Sequence, residues 1–102
     1  MPPDPIFTWP GYRPEDPAHH QLQAFLVLDL QQSPAWTQEI LAQVVAVQSQ
    51  ALEQWQRLGN AYALSLSRQG ATIEDTVAQT SQTVSLGEFE AAVQAWLEQI
   101  QM

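Results

Sequence analysis

Between Ser33 and Gln69 the positions Trp36, Ile40, Val44, Val47, Ala51, Trp55, Leu58, Tyr62 and Leu66 recur at gaps of three or four residues without interruption. That spacing repeats every eleven residues and places the whole set on one face of a helix. Ser33-Pro34 supplies a cap followed by proline at the first helical position, and Gly70 stands as a stop after Arg68. The pattern therefore predicts one long helix over 34–69. At the usual rise per residue it would extend about 54 Å, whereas a domain of this length has a diameter of roughly 34 Å. One subunit cannot cover such a helix. The stripe implies a partner, most simply a second copy of the chain, or a fold-back at Gly59-Asn60. Its unbroken phase through Gly59-Asn60 favours continuity.

Around this helix the remaining segments also read as helical. Asp16-Pro17 is a carboxylate cap with proline at the first position, opening a helix to about Gln32 whose centre, Ala24 to Leu28, is apolar nearly all round. Leu22, Ala24, Leu26, Leu28 and Leu30 also alternate with period two, but no second convincing strand is available to pair with them. Thr72, with Glu74 and Asp75 behind it, opens a short helix carrying Ile73 and Val77, and Thr80 to Thr83 reads as a turn. Ser85-Leu86-Gly87-Glu88 is a capping box for a last helix presenting Phe89, Val93, Trp96, Leu97 and Ile100. Residues 1–16 hold five of the seven prolines, interleaved with Ile6, Phe7, Trp9 and Tyr12, and so form an extended arm. Two readings stand for its aromatics: a lid on the core, or a docking segment in which Phe7, Trp9 and Tyr12 meet a partner. The expectation is an all-α protein: an arm over 1–16 and a small helical bundle over 17–102, dimeric through one long central helix.

Composition narrows the partners. Three arginines, no lysine and eleven carboxylates give a net charge of −8, which disfavours nucleic acid and anionic membranes, since both require clustered cations. Charged residues are only 14% of the chain, and sixteen glutamines carry the polar surface instead. A weakly charged surface of that kind suits contact with other proteins. Cysteine is absent, which removes disulfides, thiol nucleophiles and cysteine-based metal sites. Met1-Pro2-Pro3-Asp4-Pro5 lacks the charge and apolar run of a secretory leader, and no stretch approaches a membrane span. A soluble cytoplasmic protein is expected.

Candidate chemistry is sparse. His19 and His20 are adjacent, point about 100° apart on a helix and cannot jointly face one ion. Asp29 falls on the apolar face beside Leu22, Phe25 and Leu26, where a carboxylate needs a donor; Arg57, Arg68 or a tryptophan N–H could supply it. No motif places a nucleophile or a phosphate cradle, so no cofactor or metal is expected. Residues 72–100 superficially resemble a helix-turn-helix unit, yet the would-be recognition helix carries Glu88, Glu90 and Glu98 and no cation. The preferred function is non-enzymatic protein binding, as an adaptor, assembly factor or small regulator. Its interface would comprise Trp36, Val44, Val47, Trp55, Leu58, Tyr62 and Leu66, and its partners a second copy and another protein. A helix-turn-helix regulator and a small enzyme or metal-binding protein are the alternatives.

Overall fold

Tyr62-Ala63-Leu64-Ser65-Leu66-Ser67 alternates large apolar with small side chains, the period of a strand with one buried face. The computed structural model, which describes residues 7–59 and 61–101, follows that alternation and not the helical stripe. Its elements are α1 (Pro17–Phe25), a π-helical turn (Leu26–Leu30), α2 (Pro34–Gln48), β1 (Gln54–Leu58), β2 (Tyr62–Ser67), β3 (Gly70–Asp75), β4 (Thr80–Val84) and α3 (Leu86–Ile100). At 47% helix and 23% strand the class is α+β, which corrects the all-α expectation. The strands form an antiparallel meander in the order β1-β2-β3-β4. The longest dimension is 47 Å, shorter than the continuous helix the stripe implied.

Three corrections follow from where the chain turns. The helix over 34–69 ends at Gln48 because Gln50 adopts φ 67°, in the left-handed region. Ala51 N–H then bonds back to Ala46 O at 2.9 Å, closing the helix as a glycine usually does. The chain next forms β1 and reverses between Leu58 and Tyr62, with Gly59 N–H donating to Tyr62 O at 2.8 Å. The short helix expected from Thr72 is strand β3 followed by a turn in which Asp75 Oδ1 accepts from Val77 N–H and Ala78 N–H. The first helix of the helix-turn-helix resemblance is thus a β3–β4 hairpin. Expectations for residues 1–6 and Asn60 lie outside the described residues.

The helices lie on one face of the sheet: α1 packs on β3 and β4, α2 on β1 and β2, and α3 on α2 and β3. Leu22, Phe25, Leu26, Leu30, Ile40, Val44 and Val47 come from the N-terminal helical half, and Phe89, Ala92 and Val93 from α3. They meet Tyr62, Leu64, Leu66, Ala71 and Ile73 of the sheet. Asp16, Ser33 and Ser85 cap the three helices through their side-chain oxygens, as their residue types dictate.

The π-helical turn positions Asp29. Its carboxylate is buried, and Oδ1 accepts from Ala61 N–H at 2.9 Å, so the donor is backbone and none of the side chains expected for it. A Cβ at Gly59 would lie 2.1 Å from Asp29 Oδ2 and 3.2 Å from Tyr62 O. Gly59 is therefore required by the neighbouring carboxylate, which ties the β1–β2 turn to the helical layer. Gly59→Ala is expected to cost about 2 kcal/mol, within the range for overpacking, and Asp29→Ala in the same chain should relieve the clash. Urea midpoints of the two single variants and the double variant test this coupling; additive losses would refute it.

Candidate functional site

The parity of the β1–β2 ladder decides which groups of β1 are spoken for. Gly59 and Tyr62 form a hydrogen-bonded pair. Alternation along an antiparallel ladder then gives the bonded positions to Arg57 with Leu64 and to Trp55 with Leu66. Gln54, Gln56 and Leu58 consequently turn their backbone N–H and C=O groups away from β2, along the outer edge of the sheet. All three are exposed, Leu58 at 72%. Sheets usually protect such an edge with proline, lysine, a bulge or an inward charge. β1 has no proline or lysine, and its register with β2 is continuous over all five residues. Of those devices it has one, the charge of Arg57 on the helical side, where the guanidinium lies 3.6 Å from the centre of the Trp36 ring.

The opposite edge is open as well: the same alternation turns the backbone groups of Ser81 and Thr83 of β4 outward, and both residues are exposed. Helix α1 packs against β4, and Gln21 Nε2 donates to Thr80 O and Ile73 O at 2.7 Å each.

On the sheet face away from the helices, the register aligns Leu58, Ala63, Glu74 and Ser81 in one row and Gln56, Ser65, Thr72 and Thr83 in the next. Thr72 and Thr83 share a hydroxyl hydrogen bond of 2.8 Å. Glu74 is the single charge in those two rows. Two of the chain's three arginines, Arg57 and Arg68, sit in or beside β1, and Arg68 adjoins Glu53 and Gln54 across the β2–β3 turn. The β1 side is accordingly the least acidic part of a strongly acidic chain.

The residues proposed from the stripe scatter. Val44, Val47, Tyr62 and Leu66 are buried in the chain's own core; Leu58 lies on the uncovered face. Trp36 and Trp55 are half-buried and face each other, with ring centres 6.2 Å apart. Burial raises the Tyr62 phenol above its ordinary value, with Asp75 and Asp29 adding to the shift. Of the arm residues, Trp9 is buried and stacks edge-on with Tyr12 at 4.9 Å, and Phe7 meets Trp96 edge-on at 4.9 Å. The structure places all three on the core, as a lid would lie.

His19 lies in the interior, unlike the adjacent His20. It is 2% exposed, and its Nδ1 accepts from Arg13 N–H at 2.9 Å. That assigns the ring proton to Nε2, which donates to Glu88 Oε2 at 2.9 Å. Arg13 adds ion pairs to Asp16 at 3.0 Å and Glu88 at 3.4 Å. Both ring nitrogens are thereby engaged, and the group clasps the segment before α1 to the start of α3. The hydrogen bond from His19 chiefly holds the Glu88 carboxyl below its usual range, and the Ala18 N–H bond does the same for Asp16. His20 is exposed and bonds to Pro14 O. Beside Asp29 the space bounded by Phe25, Trp36, Arg57 and Tyr62 is about 10 Å³, the size of one water at most. Among the described residues no group of three or more metal-ligating side chains converges, and no helix is long and apolar enough to cross a membrane.

No protein-family model, curated protein or solved structure matches the chain. Sequence reasoning missed the β1 edge because it missed the strands. The available signal was Gly59-Asn60, a dipeptide of the hairpin type, standing between Gln54–Leu58 and the alternating Tyr62–Ser67.

Proposed function

We propose that the protein is a non-enzymatic interaction module that takes up an extended segment of another chain along β1. The observation that carries this reading is the outer edge of β1, where Gln54, Gln56 and Leu58 turn their N–H and C=O groups outward and all three residues are exposed. Strand addition uses such groups for affinity and the flanking side chains for selection. Here the flanking side chains are amides, hydroxyls, Leu58 and the Trp55–Arg57 pair, which suit a peptide of low charge. The balance of three arginines against eleven carboxylates favours protein over nucleic acid. A soluble cytoplasmic setting belongs to the same proposal.

The test is selection of extended peptides from a random library, followed by mapping of their contacts by amide chemical shifts. Binders are expected to shift Gln54, Gln56 and Leu58 most. Binders that map only to α1, α2 or α3 would discard the reading.

A further inference from the structure

We infer that the segment paired to β1 is the β1 strand of a second copy, antiparallel and centred on Gln56. This rests on the reading of β1 as a pairing edge and adds the identity of the occupant. The sequence Gln54-Trp55-Gln56-Arg57-Leu58 is complementary to itself when reversed. With Gln56 opposite the partner's Gln56, Gln54 falls opposite the partner's Leu58, and every outward backbone group of β1 finds a mate. Trp55 then falls opposite the partner's Arg57, on the helical side of the sheet. These are the non-hydrogen-bonded positions, where side chains across an antiparallel pair come closest.

That juxtaposition completes a contact the single chain leaves half made. Arg57 already lies against the Trp36 ring at 3.6 Å, and its guanidinium has no carboxylate within ion-pair distance among the described residues. The partner's Trp55 would cover its other side, giving two aromatic surfaces to one planar cation. Pairing also extends the meander into one continuous sheet and closes the β1 edge of both copies at once.

Charge favours the same geometry. Two chains of net charge −8 repel, and the approach costs least where carboxylates are fewest. β1 carries none and contributes an arginine, with Arg68 beside its N-terminal end. The dyad through Gln56 brings two amides face to face, with no like charges opposed.

The decisive experiment is mass by light scattering on a size-exclusion column over a concentration series, comparing the unaltered chain with Gln56→Pro and Arg57→Gln. The Gln56 N–H points outward, so proline there removes a donor from the edge and none from the β1–β2 ladder. The chain is expected to rise from 11.4 kDa towards twice that value. Gln56→Pro should remain at one chain mass throughout, and Arg57→Gln should dimerise only at higher concentration. Circular dichroism and thermal melts of the diluted variants establish that each is folded. A Gln56→Cys variant, the only thiol in the chain, should give a disulfide-linked dimer under mild oxidation faster than Gln82→Cys on the far strand. A chain that stays at one mass at every concentration overturns the inference, as does a dimer that Gln56→Pro leaves intact. A monomer whose selected peptides still shift Gln54, Gln56 and Leu58 defeats the self-pairing alone. One whose peptides bind elsewhere defeats the edge reading as well.

Discussion

Leu64→Gln is expected to destabilise the chain by about 3–5 kcal/mol, a large part of the total stability of a small domain. Leu64 is 2% exposed at the centre of β2, between Arg57 of β1 and Ile73 of β3 in the register. An amide there loses the leucine's apolar contacts and buries a polar group with no partner at hand. The neighbouring Ser65→Gln, on the uncovered face, should change stability by less than about 0.5 kcal/mol, as surface substitutions usually do. Urea unfolding of both variants measures the contrast. It also separates two architectures, because the helical stripe through Tyr62 and Leu66 would leave Leu64 on the polar side, where glutamine is harmless. Equal midpoints for the two variants would overturn the sheet.

His19→Ala is expected to cost about 2–4 kcal/mol. The change strips the Arg13 N–H of its acceptor and opens a hole beside Trp9 and Tyr12, whose rings lie 5.6 Å and 6.0 Å from the His19 ring. A second readout separates the clasp from simple packing. Glu88 has its folded value lowered, so its contribution is present above the ordinary value of 4.5 and is lost as pH falls through the folded one. The unaltered chain should therefore weaken as the solution is acidified below about pH 4.5, and His19→Ala should weaken less over the same interval. Asp16 keeps its main cause, the Ala18 N–H bond, in both proteins and loses only a lesser contribution from His19. Parallel pH profiles for the two would show that Glu88 gains nothing from His19.

How much of this was legible in the sequence depended on which residue made each turn. Where proline or serine signalled a helix start, at Asp16-Pro17, Ser33-Pro34 and Ser85, the reading and the structure coincide. Where the chain leaves a helix or rounds a turn, it uses glutamine in the left-handed region: Gln31 at φ 52°, Gln50 at φ 67° and Gln79 at φ 59°. A reader looks for glycine or asparagine there, and with no such mark at Gln50 a helical stripe runs on into the sheet. The stripe survives by coincidence of period. Trp55, Tyr62 and Leu66 are buried or half-buried on the helical side of β1 and β2, and positions four apart share a face in both structures. Leu64, two from each of its apolar neighbours, was the residue able to break the tie. Asp29 was legible as a buried carboxylate. Its partner was not, because the donor is a backbone N–H that only the hairpin delivers. The edge of β1 was invisible for the same reason: hydrogen-bond parity exists only after a register does.

The order of layers along the chain sets when the fold can be completed during synthesis. Both α1 and α2 are made before any strand, and the meander that must cover them follows over 54–84. α3 is the last element, and it supplies Phe89, Ala92 and Val93 to the interior. Until Leu86–Ile100 has been translated, the parts of α2 and β3 against which α3 packs stay uncovered, and the nascent chain offers apolar surface with an open strand edge beside it. A message truncated anywhere before α3 therefore encodes a sticky fragment and not a smaller version of the fold.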